Sequence, residues 1–399
     1  MNDDQTESNR ALYLDSLRGV AAVIVIFHHY LSAFYPHLIF GDVELSGVDT
    51  LLYLPPFGLL VAGHFAVGLF FILSGYVLSY RALGQTSRFG LQMVAILKRP
   101  IRLGGLTLAS ILMSALLWYL GLYSNDVAHL ISHSEWFNLF WKGELNILDL
   151  LKNIVFSMFR TGYLYNPPLW TIKIELYGSI MVFLFLAILS NFKYRSALLF
   201  GLCLYFSKTF FVGFWLGVLL ADIKKEGKYE AFFSNRWLHL MLFVGFVLFS
   251  SYPNSVSYSF LETSFYGFLP DDHAFVSGYP VIGALCLFVF VLETRLIRRV
   301  LQARVFLFFG EISFALYTFH FLILGSFSSW LFIQLLRYSS YNAAFWMMFS
   351  GSSFIIIFLA YWLTRLIDRP SVRLSSMISK YMLTRWKKPP CVKAENSFP

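Results

Sequence analysis

Charged residues are scarce in this chain. Asp, Glu, Lys and Arg make up 13% of its 399 residues, whereas 58% are hydrophobic. A soluble domain carries a charged fraction of about 25%, and the mean hydropathy of +0.64 is also far from that class. The composition therefore excludes an ordinary soluble domain and predicts an all-α fold, a polytopic bundle of membrane helices.

Cysteine is scarce as well. Cys203 and Cys286 lie in apolar runs and Cys391 lies near the C-terminus, and none has the spacing of a metal or redox site. We therefore expect neither a disulfide framework nor a metal centre. Cys391 follows two lysines and two prolines, so acylation and an inert tail cysteine are its two interpretations.

The common motifs of soluble enzymes are missing. The sequence has no Gly-x-Ser-x-Gly, no Gly-rich phosphate loop and no His-Glu-x-x-His. Their absence argues against the hydrolases, nucleotidases and zinc peptidases that carry them. Any chemistry must come from polar residues inside the apolar runs.

Ten apolar runs are candidate membrane spans, for which a full crossing needs about 20 residues. The polar segment 1–10 lacks the basic region of a signal peptide, so we expect the first run to be a retained span. The fifth and sixth runs are short and separated by Ser207 and Lys208, so they form either a re-entrant pair or one broken helix. The runs are 13–34, 59–80, 103–122, 170–190, 196–206, 209–222, 237–252, 275–292, 313–336 and 342–366.

The basic residues predict the orientation of these spans. With a cytoplasmic N-terminus, 25 of the 31 lysines and arginines fall on the cytoplasmic side and five on the outer side, with Lys173 inside a span. This asymmetry predicts ten spans with both termini inside, a membrane domain over 11–370 and a basic tail over 371–399. It also explains the high pI without a nucleic-acid surface.

Two long connections are predicted on the outer side. The first runs from about 122 to 169, and within it 144–160 has the pattern of an amphipathic interfacial helix. The second, about 253–274, contains Asp271, Asp272 and His273 and no basic residue.

The first span contains an arginine and a histidine, Arg18 and His29. Eleven residues turn a helix by about 1100°, so the two share one face, about 16 Å apart, while His28 points about 80° away. Ionisable residues inside a span indicate a functional site. The alternative is that Arg18 anchors the cytoplasmic surface and His29 is a packed histidine.

The second span and the loop after it offer further candidates. Gly68 and Gly75, with Ser74 beside them, favour close helix packing, and His64 at the outer end either lines a site or faces headgroups. The cluster Lys98-Arg99-Pro100-Ile101-Arg102 has no acidic neighbour in sequence and suits phosphate groups. Alternatively, the cluster sets the orientation of the neighbouring spans and attracts anionic lipids.

Two later spans also carry polar residues. Glu175 needs a partner in the bundle, since Lys173 is two residues away and faces elsewhere. His29 is a candidate partner, and a position near the outer interface is the alternative. Ser313, Tyr317 and His320 form a stripe at helical spacing, which is either a structural hydrogen-bond stripe or the wall of a site.

Taken in order, these segments resemble the membrane acyltransferase family 3, the integral-membrane O-acyltransferases that modify surface sugars. The resemblance extends over about 11–370. It rests on Leu14-Asp15-x-Leu-Arg18-Gly19 with His29, Phe70-Phe71-x-Leu-Ser74-Gly75-Tyr76, Lys98-Arg99-x-x-Arg102, Leu169-Trp170-Thr171-x-x-x-Glu175 and Ile312-Ser313-x-x-Leu316-Tyr317-x-x-His320.

The resemblance implies an acyl-CoA donor, first of all acetyl-CoA, from the cytoplasm and a hydroxyl acceptor on a lipid-linked or surface glycan. It implies that Arg18 and His29 are the catalytic pair and that Glu175 is an important acid. We expect Arg18, Arg99, Arg102 and Ser74 at the donor, and His64, Trp170, Tyr317 and His320 at the acceptor. Two departures are Lys98, where the family commonly has Arg, and a single acid after Trp170.

The alternative function is a transporter of a glycan precursor with a His/Glu proton relay, although no internal repeat of the kind such folds often contain is visible. A non-catalytic scaffold does not explain so many polar residues in spans. The expected partners, besides donor and acceptor, are membrane lipids, and we expect no nucleic acid. Assembly into a homo-oligomer is left open. The expected location is a bacterial inner membrane.

Overall fold

A computed structural model describes residues 2–40, 54–80, 82–83, 89–159, 164–227, 235–253, 264–269 and 278–386. All regular secondary structure in these ranges is helical. The predictions on Cys391 and on Asp271–His273 lie outside the described residues.

The helices are numbered in chain order. They are α1 Asn2–Phe34, α2 His37–Phe40, α3 Gly63–Tyr80, α4 Phe89–Tyr119, α5 Asn125–Ser132, α6 Ile147–Phe156, α7 Trp170–Leu189, α8 Arg195–Tyr205, α9 Phe211–Glu226, α10 Arg236–Ser250, α11 Gly278–Glu293, α12 Arg295–Leu301, α13 Arg304–Ile323, α14 Ser329–Leu335, α15 Tyr341–Leu363 and α16 Arg369–Trp386. Short π-helical turns, Leu324–Ser328 and Thr364–Asp368, join α13 to α14 and α15 to α16.

Among the described residues, six helices are long and apolar enough to cross a membrane. A seventh crossing arises if α11 and α12, which are bent by 97° at their junction, count as one broken span. The prediction of a polytopic helical membrane protein is therefore confirmed. The six are Leu12–Phe34, Gly63–Tyr80, Phe89–Tyr119, Pro167–Leu189, Arg304–Leu335 and Tyr341–Thr384.

The fifth and sixth predicted runs form an antiparallel hairpin of α8 and α9. At the start of α8, Arg195 Nε donates to Asp222 Oδ1 at 2.6 Å and Ser196 Oγ donates to Asp222 Oδ2 at 2.7 Å. Asp222 lies near the end of α9 and is fully buried. Because the start of one helix meets the end of the next, the interpretation as one broken helix is wrong.

Glycines set the closest helix crossings. A Cβ atom on Gly19 of α1 would lie 2.5 Å from the backbone nitrogen of Gly310 in α13, and one on Gly310 would lie 2.6 Å from the Asp15 carbonyl carbon. A Cβ on Gly75 would overlap the Phe214 carbonyl of α9. The packing interpretation of Gly75 is thus confirmed, and α1 and α13 touch backbone to backbone beside Arg18.

The described part of the connection between α4 and α7 folds against the bundle. Asn146 caps α6 by accepting from the backbone nitrogens of Leu148 and Asp149. Leu151 and Val155 of this helix are more than half exposed, as an interfacial helix requires. A helix within 144–160 is thus present, and its place at the membrane surface stays a prediction.

Candidate active site

A cavity of about 310 Å³ opens between α1, α3, α4, α7 and α13. This volume is at the lower end of the range of ligand pockets, about 300–1,000 Å³. Its polar lining comprises three arginines, four acids and four neutral side chains: Arg18, Arg99, Arg102, Asp15, Glu175, Glu311, Asp368, Ser74, Thr171, Ser313 and Tyr317.

The acid of the fourth predicted span is held in the cavity wall. Glu175 Oε1 accepts hydrogen bonds from Ser74 Oγ at 3.0 Å and from Arg99 Nη2 at 3.3 Å. Arg99 is only 6% exposed, and its guanidinium lies 5.8 Å from the ring centre of Phe183. The structure thus pairs Glu175 with Arg99 and not with His29, which corrects the predicted partner.

The other cavity arginines also have acids near them. Arg18 Nη1 contacts Asp15 Oδ1 at 2.6 Å, and Arg102 shares the cavity with Asp368. Glu311 is paired with Arg369 from α16. The basic cluster thus has no acidic neighbour in sequence but has acids near it in space, which outnumber the arginines of the cavity by one.

Two aromatic rings line the cavity close to His320, whose ring centre lies 6.0 Å from that of Tyr317. These rings are Phe70 and Tyr317, with their centres 5.8 Å apart. Tyr317 is held by donating to the Pro168 carbonyl at 3.1 Å and accepting from Thr171 Oγ1 at 2.8 Å. On α13 the lining stops at Tyr317, and His320 is one helical turn further on.

Beyond these rings, His29 and His320 form a hydrogen-bonded pair. The Nδ1 atom of His29 lies 2.7 Å from Nε2 of His320, and the rings are nearly parallel, at 6° with centres 5.1 Å apart. His320 is fully buried, whereas His29 is partly exposed. Of the two, only His29 therefore has accessible surface.

The connection between α4 and α7 covers this pair with a tryptophan. The Trp136 ring stacks on His29, with centres 5.7 Å apart at 19°, and Phe321 packs edge-on against His29 at 5.3 Å. Ser134 Oγ anchors the segment by donating to the Ser32 carbonyl at 2.7 Å. Trp136 is not among the residues that the sequence patterns indicated, and the connection over 122–169 that contains it has two tryptophans, Trp136 and Trp141.

The remaining predicted residues lie elsewhere. His64 lines a separate cavity of about 30 Å³ together with His28, whose Nδ1 lies 2.7 Å from the Val61 carbonyl. The rings of His64 and Trp170 lie 6.2 Å and 5.4 Å from that of Phe210. Of the four predicted acceptor residues, Tyr317 thus lies at the large cavity, His320 at His29, and His64 and Trp170 around Phe210.

Within the described ranges, no three His, Cys, Asp or Glu side chains come together as a metal site would need. The polar groups of the two sites described above are the arginines, acids and hydroxyls of the cavity and the histidine pair.

The fold and site define a polytopic helical membrane domain with a charged cavity in the bundle and a histidine pair beyond its apolar end. More particularly, the chain belongs to the acyltransferase 3 family, because the family model, described as an acyltransferase domain, matches residues 11–365. The resemblance seen in the sequence is confirmed.

A curated relative is the O-acetyltransferase PaAT-1 of Phomopsis amygdali. It is 28% identical over 246 residues, which cover 54% of this chain and 49% of that protein. The match thus spans about half the length of the relative. No solved structure matches the chain.

Proposed function

We propose that the protein is a membrane O-acyltransferase that moves an acyl group, first of all acetyl, from acyl-CoA to a hydroxyl of a glycan or glycolipid. The observation that carries the proposal is the partly exposed His29, held by His320, whose ring lies 6.0 Å from that of Tyr317 in the lining of a charged cavity. The family match and the O-acetyltransferase relative support the same reaction class.

The donor would enter through the cavity. A volume of about 310 Å³ suits the pantetheine arm, so the nucleotide of CoA stays at the mouth. Arg102 is exposed and Arg18 is partly so, and both are suited to bind phosphate bidentately. Arg99 is buried against Glu175, and we assign this ion pair, with Ser74, to the shape of the cavity wall.

The apolar end of the cavity would receive the acyl group. Phe70 and Tyr317 stand between the arginines and the histidine pair, so the thioester passes these rings to reach His29. Along α1, Arg18 and His29 are about 16 Å apart. The arm therefore spans the distance between a phosphate site near Arg18 and the reacting carbon.

At the histidine pair, His29 acts as the general base. The acceptor oxygen attacks the thioester carbonyl carbon while His29 takes the hydroxyl proton. The carbon–sulfur bond then breaks, and His29 returns the proton to the departing CoA sulfur. General base catalysis of this kind contributes about 10²–10⁴-fold. In the alternative route, His29 itself accepts the acyl group before passing it on, which would leave labelled acyl groups on the protein.

The acceptor would approach from the side covered by Trp136. A tryptophan face stacks on the apolar face of a sugar, and its ring is well suited to a boundary between apolar and wet surroundings. O-antigen, exopolysaccharide, peptidoglycan, a secreted glycolipid and a macrolide are all hydroxyl acceptors compatible with this arrangement.

The topology belongs to the same proposal. Six of the predicted spans overlap the six long apolar helices, and the other four overlap the shorter helices α8, α9, α10 and α11. Ten crossings with both termini inside keep the arginine cavity on the cytoplasmic side, where CoA is found. A bacterial inner membrane stays a prediction.

The test uses membranes containing the protein, radiolabelled acetyl-CoA and a panel of glycan and glycolipid acceptors. We expect label in an acceptor with wild-type protein and none with H29A that is inserted at the same level. Movement of unmodified glycan across the membrane without acyl transfer would instead support the transporter. An H29A protein that inserts normally and stays active would overturn the assignment of the base.

A further inference from the structure

Both nitrogens of the His320 ring are engaged inside the bundle. Its Nδ1 lies 2.8 Å from the Tyr317 carbonyl oxygen and 3.1 Å from that of Leu316, and its Nε2 lies 2.7 Å from Nδ1 of His29. A carbonyl oxygen has no proton to give. Nδ1 of His320 therefore carries the hydrogen and donates it to the backbone.

This donation sets the direction of the next hydrogen bond. A neutral imidazole has a single N–H, so Nε2 of a neutral His320 is bare and accepts from Nδ1–H of His29. His29 then has no hydrogen on its own Nε2. The two backbone carbonyls on α13 thus determine, through His320, that Nε2 is the free nitrogen of His29.

The opposite direction requires a doubly protonated His320. That would place a full positive charge on a side chain with 0% exposure, where its hydrogen-bond partners in the described structure are two carbonyl oxygens and His29. Burying a charge without an ionic partner is costly. The neutral arrangement is the stable one.

We infer that His320 is a positioning residue that holds His29 in the tautomer with a free Nε2. The inference rests on the proposed function for its catalytic meaning, but the direction of the hydrogen bond stands on geometry alone. His320 takes the place that a buried carboxylate occupies behind the histidine of a Ser-His-Asp triad, where the wrong tautomer is known to be nearly inactive. The partners of His29 here are His320 and the rings of His28, Trp136 and Phe321.

The same chain of groups stabilises the charged intermediate. When Nε2 of His29 takes the acceptor proton, the ring becomes a cation whose Nδ1–H still points at His320. The oxygens of Leu316 and Tyr317, behind His320, present the negative ends of their dipoles toward that charge. His320 gains and loses no proton over the cycle, because Nε2 of His29 delivers the proton to sulfur.

The kinetic test compares three variants with wild type at equal insertion. H320L removes the acceptor for Nδ1–H of His29, and H320Q restores an amide oxygen at similar reach. T318V is the matched control, since Thr318 is also fully buried on α13 but bonds to its own helix through the Phe314 carbonyl. We expect H320L to lower kcat about 100-fold with little change in the KM for the donor. The kcat of H320Q should be at least about tenfold higher than that of H320L, and the kcat of T318V should match wild type.

A second measurement reads the tautomer without any acceptor or turnover. Nitrogen-15 NMR of histidine-labelled protein in nanodiscs, with the His29 signals assigned from H29A, should show Nδ1–H at His29 in wild type and H320Q and a mixture in H320L. An Nε2–H tautomer in wild type, an unchanged kcat in H320L, or a folded H320Q no better than H320L would overturn the inference. The expected tautomers in a protein that transfers no acyl group would leave the positioning correct and the proposed function wrong.

Discussion

Arg99 Nη2 and Glu175 Oε1 lie 3.3 Å apart across the α4–α7 contact, with the two side chains 7% and 16% exposed. The two residues are 76 positions apart in the sequence, and Ser74 of α3 donates to the same carboxylate oxygen. One carboxylate thus connects three helices at the wall of the cavity, and its replacement should affect the fold as well as the chemistry.

We expect E175Q to destabilise the protein, because it leaves the Arg99 charge buried without its partner. Breaking a buried pair in this way costs about 3–5 kcal/mol, whereas replacing both partners with apolar side chains is often neutral. The double variant R99M/E175L should therefore melt closer to wild type than E175Q does. Thermal melting in detergent followed by size-exclusion chromatography measures the difference. A stable but inactive E175Q would contradict us and assign Glu175 to the reaction itself.

Arg102 should matter for the nucleotide of the donor and not for its thioester. R102A is expected to raise KM for acetyl-CoA about tenfold or more, while acetyl-pantetheine, which has no nucleotide, is used as well as by wild type. R102K should recover only part of the loss, since lysine lacks the bidentate fork. K152A is the matched control, because Lys152 pairs with exposed Asp149 on α6, away from the cavity. Equal losses with both donors would indicate a role in folding.

The crossing of α1 and α13 should not tolerate a methyl group. G19A places a Cβ 2.5 Å from the backbone of Gly310, so the helices must separate and carry Arg18 with them. We expect a lower melting temperature and less acyl transfer. G201A in α8 is the control: nothing lies within 4 Å of the added Cβ, and alanine favours a helix over glycine by up to about 1 kcal/mol. A G19A protein as stable as G201A would show that this crossing is looser than described.

Trp136 should govern the acceptor side. W136A uncovers His29, so we expect a higher KM for the acceptor, an unchanged KM for acetyl-CoA and faster hydrolysis of acetyl-CoA by water when no acceptor is present. W136F keeps an aromatic face, so its KM for the acceptor and its rate of hydrolysis should lie between those of wild type and W136A. Release of free CoA, followed with a thiol reagent, measures the hydrolysis. Loss of donor binding in W136A would place Trp136 at the other substrate.

Local sequence patterns predicted much of the helical arrangement and part of the site. Helical phase separated His29 from His28, and the structure gives the two rings different partners, His320 and the Val61 carbonyl. Phase tells which residues share a face of one helix, but it does not tell which helix lies opposite. For this reason the pairing of Glu175 with Arg99 was missed.

The acids around the arginines were missed for the same physical reason. Asp368 follows Arg102 by 266 positions in the sequence, yet both line the cavity, because α16 packs along α4. Trp136 is placed over His29 by a segment without a strong helical pattern, anchored through Ser134. Such contacts depend on tertiary packing, which no local pattern contains.

Arg18 and His29 belong to one uninterrupted helix, α1, whose crossing with α13 is fixed by glycines on both sides. No hinge lies between the two residues, so α1 keeps them at a fixed separation of about 16 Å. Under the proposed function, we expect a donor whose arm is too short to fail in presenting its thioester at His29 however well its phosphates bind. Deleting one residue between Arg18 and His29 would shorten their separation by about 1.5 Å and rotate His29 about the helix axis by about 100°. This rotation would move His29 out of contact with His320.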